Sequence, residues 1–426
     1  MTTSTLLNAV LSLSISAALV GCGWNGGGRT PQKPAAPSDN DGSDTDTWSD
    51  AGAPSDHDAT ADGGGSASCD PGRCGAAGCC GPACCGAGIV PANARDFGQL
   101  LPTGLVVGPP NGTFDTDTDC AAGSVLGACQ AVTVSDSASV PEACVCRMDE
   151  LTIGSLVVTG ARALVIYAWR SVTVNSLLSV AAQGPTRGPG ASREVVPAQT
   201  GYSFGGAGGV FASKGGGNPL DTYGSPSLVP LIGGCDGQDS ANAGGGGGGA
   251  LQVSAGVSIT IAGDIHAGGG GGSAGRWTFA DLAGAGGGSG GAVLLEAAQV
   301  IVQGTIAANG GGGGGGGSYG ESSGQPGQDG QLSLNAATGG AGNDGYGCSL
   351  YGHTSGGDGG AGSVLAGDGK NGGSYDEITG CIGGTAAVGA GGGGGGAGRI
   401  RVNTITGCVC AGNFSPPPSM GSASAP

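Results

Sequence analysis

Three aspartates alternate along a short segment of the sequence, at Asp115, Asp117 and Asp119. Residues spaced i, i+2 and i+4 can place carboxylate oxygens around one loop, and oxygen is the ligand atom that calcium requires. A complete calcium loop has glycine at its sixth position and glutamate at its twelfth, where this sequence has Cys120 and Leu126. The segment is therefore a candidate calcium site with an incomplete ligand set.

Cysteines are the second group of residues with possible chemistry, since the chain has 16 of them. Such a number is typical of exported proteins, in which disulfides persist. Two C-x-C pairs, Cys144/Cys146 and Cys408/Cys410, flank the region of repeated apolar segments described below. Because the terminal units of a repeat protein need caps, we expect these four residues to form disulfides that close both ends.

A dense cluster of cysteines precedes the repeats. Too few other side chains surround it to build a hydrophobic core, so the pattern favours a small disulfide framework. Zinc binding is the alternative, although the cluster has neither a C-x-x-C pair nor a neighbouring histidine. The cluster consists of Cys69, Cys74, Cys79, Cys80, Cys84 and Cys85.

Catalytic motifs are weak in this sequence. Ser289 lies in a segment that matches G-x-S-x-G, but no strand–turn–helix context surrounds it. An enzyme acting on polysaccharide could use carboxylates and arginines of the repeat region, although such charges are expected on any solvated strand face. The charged residues in question are Asp281, Glu296, Arg276, Arg399 and Arg401.

The amino terminus has the features of an export signal. Leu6 to Val20 is an apolar stretch of signal-peptide length, too short to span a bilayer comfortably. It ends in Leu19-Val20-Gly21-Cys22, which resembles the lipobox of bacterial lipoproteins. The resemblance implies cleavage before Cys22, acylation of this cysteine and durable anchoring in a lipid bilayer. Gly23, where aspartate would signal retention in the inner membrane, implies the outer membrane.

Composition divides the rest of the chain. The segment after Cys22 is rich in Pro, Ser and Asp and has too few apolar side chains to offset its ordering entropy. We therefore expect a signal peptide at 1–21, a disordered acidic tether at 22–68, a Cys-rich knot at 69–86, a Gly-rich β-repeat domain at 87–410 and a disordered tail at 411–426.

The bulk composition excludes two classes of protein. The net charge is -17 and the 14 Lys and Arg residues are scattered, whereas nucleic-acid binding needs clustered basic residues. Glycine supplies 101 positions, but no strict every-third-residue register runs through the chain, which excludes collagen.

Three segments, beginning at Ala163, Ala250 and Ala292, repeat one pattern. In each, apolar side chains alternate with small or polar ones over about twenty residues, which is typical of strands with one buried face. The pattern predicts an all-β parallel β-solenoid, in which each unit stacks on the next. An antiparallel β-sandwich is the alternative, but the glycine-rich runs between the units are too long for tight hairpins.

The alternation also predicts which side chains face the core. In the two best-matched units, we expect inward-facing Leu251, Val253, Ile259, Ile261 and Ile265 to stack on Val293, Leu295, Val300, Val302 and Ile306. We expect Gln252, Thr260, Ile301 and Gln303 to face outward or toward a glycine layer.

Near-pure glycine fills Gly244–Gly249, Gly268–Gly272, Gly310–Gly317 and Gly391–Gly396. Two interpretations remain open at this point. The runs could be mobile loops, or they could pack side by side as extended helices of the polyproline-II type at a distance that only glycine permits.

The lipobox, the acidic tether and the strand-plus-glycine units together resemble glycine-rich surface lipoproteins of bacteria. The Gly/Ala runs are similar in composition to the repeats of PE-PGRS proteins, whose defining amino-terminal domain is absent here. The resemblance implies a place at the cell surface and implies no chemistry. We expect a structural or adhesive protein that contacts extracellular polysaccharide or envelope components. The alternatives are a surface polysaccharide-active enzyme and a calcium-dependent binding module.

Overall fold

The computed structural model describes residues 88–135, 142–192, 205–218, 220–240, 242–276, 283–317, 323–342, 369, 378–381, 384–386 and 389–425. This part of the chain is almost entirely β-structure, as predicted, with one short helix, α1 (Ala94–Phe97). The described residues include no apolar helix of membrane-spanning length. The export signal, the tether and the cysteine cluster predicted for residues 1–86 lie outside the described residues.

The strands vary from two to 18 residues in length. They are β1 (Val106–Val107), β2 (Gly112–Asp115), β3 (Ala122–Ser124), β4 (Gly127–Thr133), β5 (Glu142–Thr159), β6 (Ala163–Ser179), β7 (Ala250–Ile261), β8 (Asp264–His266), β9 (Ala292–Val302), β10 (Thr305–Ala307), β11 (Ile378–Cys381), β12 (Gly384–Ala386), β13 (Arg399–Thr404), β14 (Cys408–Cys410), β15 (Asn413–Ser415) and β16 (Ser419–Ser422).

Fourteen of these strands form one mixed sheet, and β11 and β12 form a separate antiparallel pair. The main strands pair in parallel in the order β5, β6, β7, β9 and β13. The short strands follow the same order, because β8 pairs with β6, β10 with β8, and β15 with β10. We call the strands at one position in this order a layer, so that β7 and β8 form one layer and β9 and β10 the next.

The predicted register between the two best-matched units is confirmed. Leu251 pairs with Val293, and Ile261 pairs with Val302, both in parallel. Ile265 pairs with Ile306 in the adjoining short strands. An antiparallel β-sandwich would require these strands to pair antiparallel, so that alternative prediction is wrong.

One face of the layers builds a continuous apolar core. The ten side chains predicted to face inward are all fully buried in it. Burial of each Val, Leu or Ile side chain stabilises the folded state by about 1.5–3 kcal/mol, so each layer adds to the free energy of unfolding. The ten are Leu251, Val253, Ile259, Ile261, Ile265, Val293, Leu295, Val300, Val302 and Ile306.

The opposite face differs from the prediction at Gln252. This side chain is fully buried, whereas Gln303 is exposed as expected. The cover over Gln252 is not a glycine run but the segment around α1, whose Ile89 and Phe97 belong to a second apolar cluster with Val165 and Leu294. The first halves of β6, β7 and β9 are thus buried on both faces.

The amino-terminal edge of the stack is covered by three strands. Strand β4 pairs antiparallel with the first part of β5, while β1 and β2 pair in parallel with its later parts. Their pairing satisfies backbone groups that β5 would otherwise expose at its open edge.

The carboxyl-terminal segment is ordered, which corrects the expected tail at 411–426. Strand β15 pairs with β10, and β16 pairs with β13. Short segments of Ser, Asn and Gly carry little apolar signal of their own, and these strands form because neighbouring backbones offer hydrogen-bond partners.

The glycine-rich runs are ordered in the described residues, and their backbones hydrogen-bond to one another. Gly245 N–H donates to the carbonyl of Gly286, and Gly248 N–H, three residues later, donates to that of Ser289. The same step of three recurs where Gly269 N–H donates to Asn309 and Gly272 N–H donates to Gly312. Three residues per turn is the period of the polyproline-II helix. Of the two interpretations of the runs, close packing is therefore the one that holds.

This bundle of glycine runs, which we call the glycine bundle, is continuous with the strand layers. Gly249, Gly291 and Gly398 immediately precede β7, β9 and β13. At this junction Ala292 N–H donates to the Gly249 carbonyl and Arg399 N–H donates to the Gly291 carbonyl, both at 2.9 Å. The hydrogen-bonded stacking of the strands thus passes directly into the stacking of the glycine runs.

Close approach, and not backbone conformation, requires glycine in the bundle. A Cβ atom added to Gly288 would overlap the carbonyl oxygen of Gly246, and one added to Gly313 would overlap that of Gly392. Neither Gly288 nor Gly313 has a positive φ. The neighbouring runs therefore lie at a distance that excludes any side chain.

The phase of the alternation can be tested with two adjacent substitutions. Ile261→Asp should unfold the protein, because burying an unpaired carboxylate costs on the order of 5 kcal/mol or more, comparable with the whole stability of a domain. Thr260→Asp, on the partly exposed face, should change the midpoint of urea unfolding little. Circular dichroism of both variants measures this, and equal tolerance of the two would contradict the assigned faces.

The glycine bundle is tested by one added methyl group. Gly288→Ala should lower the free energy of unfolding by several kcal/mol, because the overlap with Gly246 forces two runs apart. Gly108→Ala is the matched control, since a Cβ there meets no atom within 4 Å and the φ of Gly108 is not positive. Urea unfolding of both variants gives the comparison. An unaffected Gly288→Ala would show that the runs are not packed as described.

Candidate functional site

Glu296 is the most deeply buried carboxylate among the described residues. It lies on β9, and its side chain is only 2% exposed. Burying a carboxylate is costly unless several donors satisfy its oxygens. A buried carboxylate among the charged residues considered for catalysis is the natural place to look for a site.

Four groups donate hydrogen bonds to this carboxylate. The Gln252 amide donates at 2.9 Å and the Ser254 hydroxyl at 3.0 Å, both to Oε2. The Asn403 amide donates to Oε1 at 2.9 Å. The backbone N–H of Ala92 lies 3.2 and 3.1 Å from the two oxygens. We call Glu296 and these four partners the Glu296 clasp.

The strand register assembles most of the clasp. Ser254, Glu296 and Asn403 are direct neighbours on β7, β9 and β13. Side chains on adjacent parallel strands that share a register point to the same face, so the three polar groups meet without any special loop. Gln252 stands two residues before Ser254, on the same face.

The fourth partner comes from a distant part of the chain. Ala92 precedes α1, and its neighbour Asn93 donates hydrogen bonds to Gln252 Oε1 and to the Leu228 carbonyl, each at 3.0 Å. Further along the same segment, Gly88 N–H donates to the Gly256 carbonyl at 3.1 Å. The clasp therefore connects the segment around α1 to three neighbouring layers of the sheet.

The electrostatics of the clasp suit a structural role. Burial raises the pKa of Glu296, and the hydrogen bonds from Asn403, Ala92, Ser254 and Gln252 partly oppose that rise. Burial also raises the pKa of Tyr167, with a further contribution from the charge of Glu296. A catalytic carboxyl must reach a substrate, whereas this one is enclosed and its oxygens are already engaged.

The other charged residues considered for catalysis do not converge on Glu296 directly. Arg401 Nε donates to Asn403 Oδ1 at 3.0 Å, so Asn403 stands between Arg401 and the carboxylate. Arg399 lies over the ring of Phe211, with its guanidinium carbon 5.3 Å from the ring centre. Arg276 is exposed, and Asp281 lies outside the described residues.

The three alternating aspartates form a loop whose carboxylates are engaged by the protein itself. Asp115 Oδ1 accepts from Asp117 N–H at 2.8 Å, and Asp119 Oδ2 accepts from Asp115 N–H at 2.8 Å. Asp117 forms an ion pair with Arg162 at 3.2 Å, and its other oxygen accepts from Ala161 N–H. The loop therefore links β2 to the turn between β5 and β6, and a calcium ion would have to compete with these donors.

Disulfides involve all four cysteines of the C-x-C pairs. Cys120 bonds to Cys144, and Cys129 bonds to Cys146, its direct partner across β4 and β5. Cys408 bonds to Cys410 within β14. Cys235 is also disulfide-bonded.

The sulfur atoms of Cys129, Cys144 and Cys146 lie within 4.8 Å of one another. Because all three are oxidised, they offer no thiolate to a metal. The six cysteines from Cys69 to Cys85 and the lipidation candidate Cys22 lie outside the described residues.

Two further residues with possible chemistry have structural contacts. Ser289 is fully buried in the glycine bundle, where its hydroxyl accepts from Cys235 N–H at 2.8 Å. His266 Nε2 lies 2.8 Å from the Gly330 carbonyl, and burial lowers its pKa. The Ser289 hydroxyl and the His266 ring therefore each link backbone segments that are distant in the sequence.

Comparisons with known proteins give no assignment. No protein-family model matches the sequence, and no curated protein or solved structure shows significant similarity to it.

The Glu296 clasp predicts a difference between two glutamates of the same stack. Glu296→Ala should lower the free energy of unfolding by about 3 kcal/mol or more, because its four donors lose their acceptor. Glu150→Ala, which removes a half-exposed ion pair with Arg170, should cost less than about 1 kcal/mol. Urea unfolding measures both, and similar effects would contradict the clasp.

The same site predicts a pH dependence. Because burial raises the pKa of Glu296 in the folded protein, folding favours the protonated carboxyl. Its contribution to stability is complete below the unfolded pKa, about 4.3, and is lost as the pH rises through the folded pKa. Glu296→Gln does not titrate at this position and serves as the reference. The free energy of unfolding of the wild type, measured relative to this variant, should decrease as the pH rises through the folded pKa of Glu296. A difference in stability that is constant with pH would contradict this account.

Proposed function

We propose that the chain is a lipid-anchored structural or adhesive protein of the bacterial outer surface. In this proposal Cys22 carries the lipid, residues 22–68 extend from the membrane, and the layered domain is the part presented to the surroundings. The observation that supports it best is the continuous hydrogen bonding from the strand layers into the glycine bundle. A body in which each run is bonded to its neighbours is stiff, and stiffness is what a presenting scaffold needs.

We further propose that the layers are the coils of a parallel β-solenoid. Strands β5 and β6 pair in parallel from Ala143↔Ala163 onward, yet only residues 160–162 join them. Parallel neighbours normally need a crossover of about a dozen residues or more. The short connection is possible if β5 itself winds around the core and returns to its starting side, and the two register shifts along β5 and β6 mark places where it can turn.

The partners proposed for this surface are extracellular polysaccharides or envelope components. Side chains such as Thr173 and Thr260, neighbours on β6 and β7, present a partly exposed polar face toward them. The two alternatives remain testable hypotheses, since a surface enzyme would degrade a polysaccharide and a calcium-dependent module would bind its ligand only with calcium.

The membrane anchor and the binding role need separate readouts. Cys22→Ala should move the protein from the membrane fraction to the soluble fraction and leave its precursor uncut. Persistence in the membrane at the mature mass would contradict the anchor. The full chain carrying Cys22→Ala should then bind members of a polysaccharide and cell-envelope array.

The matched variants for that array are Ile261→Asp and Thr260→Asp in the same full chain. The first should abolish binding because the domain unfolds, whereas the second keeps the fold, changes the proposed binding face and should weaken binding without abolishing it. Equal binding by wild type and Ile261→Asp would contradict a role for the folded domain. Addition of calcium and analysis of the array for cleaved polysaccharide separate the two alternative functions.

A further inference from the structure

The Cys408–Cys410 disulfide connects almost nothing. The disulfides of Cys144 and Cys146 have sequence separations of 24 and 17, and they tie β5 to earlier segments of the chain. Cys408 and Cys410 are two positions apart on a single strand, β14. A disulfide stabilises a protein mainly by restricting the unfolded chain, and the effect grows with the length of the closed loop. The bond within β14 therefore contributes little to the stability of the fold.

Backbone pairing holds β14 in place without the disulfide. Its three residues pair in parallel with Val300–Val302 of β9. Before the strand, Thr406 N–H donates to the Ala298 carbonyl at 3.0 Å, and after it Gly412 N–H donates to the Val302 carbonyl at 2.8 Å. The position of the strand is thus fixed whether or not its two sulfur atoms are bonded.

The same strand keeps the two cysteines close to each other. Residues i and i+2 of a strand present their side chains on one face. The Cα atoms of Cys408 and Cys410 are 5.3 Å apart, within the range that a disulfide requires. Two thiols produced by reduction would therefore stay within bonding range, so this bond can open and close while the fold stays unchanged.

The sulfur atoms of β14 are also the more accessible ones. Cys408 and Cys410 pack against the inner core but are only partly buried, because in the described chain β14 pairs with β9 and with no other strand. Cys144 and Cys146, by contrast, are 0% exposed. Exchange requires that a thiolate reach a sulfur atom of the disulfide, and exposed disulfides are the ones that exchange readily.

We infer that the Cys408–Cys410 disulfide is a thiol-exchange site, at which a thiol-bearing molecule becomes covalently attached. The partner thiolate attacks Sγ of one cysteine and forms a new S–S bond with it, while the Cys408–Cys410 bond breaks. The other cysteine leaves as a thiolate and takes up a proton from water. One disulfide replaces another, so the step needs no further oxidant, and attack by the freed thiolate on the mixed disulfide reverses it. The inference does not depend on the proposed binding role.

Selective reduction of the full chain carrying Cys22→Ala tests the site. The folded protein is incubated with reduced glutathione, alkylated at intervals and mapped by mass spectrometry. Cys408 and Cys410 should be labelled at least 100-fold faster than Cys144 and Cys146, with no change in circular dichroism or in the midpoint of urea unfolding. Equal rates of labelling, or loss of the fold on selective reduction, would overturn the inference.

Single serine variants test the exchange step itself. Cys410→Ser leaves Cys408 without a neighbouring thiol, so a mixed disulfide formed with oxidised glutathione should persist. In the reduced parent, the second cysteine should expel glutathione and shorten the lifetime of the mixed disulfide at least tenfold. Cys408→Ser should behave like Cys410→Ser, and Val409→Ser, which keeps both cysteines, is the matched control. Failure of both cysteine variants to form the mixed disulfide would contradict the exchange.

A second thiol distinguishes the two possible sources of the partner. An extended cysteine-containing peptide could also pair with the open edge of β14, so faster reaction of the peptide than of glutathione indicates a protein thiol. Equal rates indicate a small thiol, and lack of reaction with either would overturn the inference. The double variant Cys408→Ser/Cys410→Ser should still bind the polysaccharide array, so a failure of exchange is distinguishable from a failure of the proposed function.

Discussion

The distance between neighbouring glycine runs is the constraint on which the rest of the structure depends. At that distance a backbone N–H reaches a neighbouring carbonyl, while an added Cβ would overlap it, as at Gly288 and Gly313. Buried backbone groups must be paired, and the runs pair with one another where a conventional domain would use helices or loops. The abundance of glycine is thus a packing requirement, and the low content of aromatic and charged residues follows from it.

The strand layers and the glycine bundle share the same stacking direction. Each run enters or leaves a layer at residues such as Gly291 and Ala267, which are themselves hydrogen-bonded to each other. Displacing one run would therefore displace the strand that follows it. The Glu296 clasp adds a second tie, because it joins β7, β9 and β13 to a segment of the chain that precedes them all. Its polar groups specify one arrangement of a segment that apolar contacts alone would hold less specifically.

Alternation was sufficient to predict the inner core and its register. Leu251, Ile261 and Ile265 face inward and meet the expected partners, because a period of two leaves one phase that buries most of the large apolar side chains of these strands. Gln252 and Glu296 could not be placed in the same way. Their burial depends on which segment covers the outer face, and that segment lies far away in the sequence.

The glycine runs and the carboxyl-terminal strands show the same limit. A run of identical residues has no side-chain pattern, so the sequence could not distinguish packed runs from mobile ones. Strands β15 and β16 contain few apolar residues and are ordered by the backbone edges of β10 and β13. In both cases the segment is ordered by hydrogen bonds to a neighbouring backbone. That neighbour is distant in the sequence, so the local residue pattern does not predict it.

The central claim is that the strands and the glycine bundle form one cooperative unit. Native-state amide hydrogen exchange, followed by mass spectrometry on the full chain, tests it most directly. The account predicts that amides of Gly245–Gly248 and Gly286–Gly291 are protected to the same free energy as those of β7 and β9, since all would open together. Exchange of the glycine amides at the rate of an unstructured peptide, beside protected strands, would contradict it.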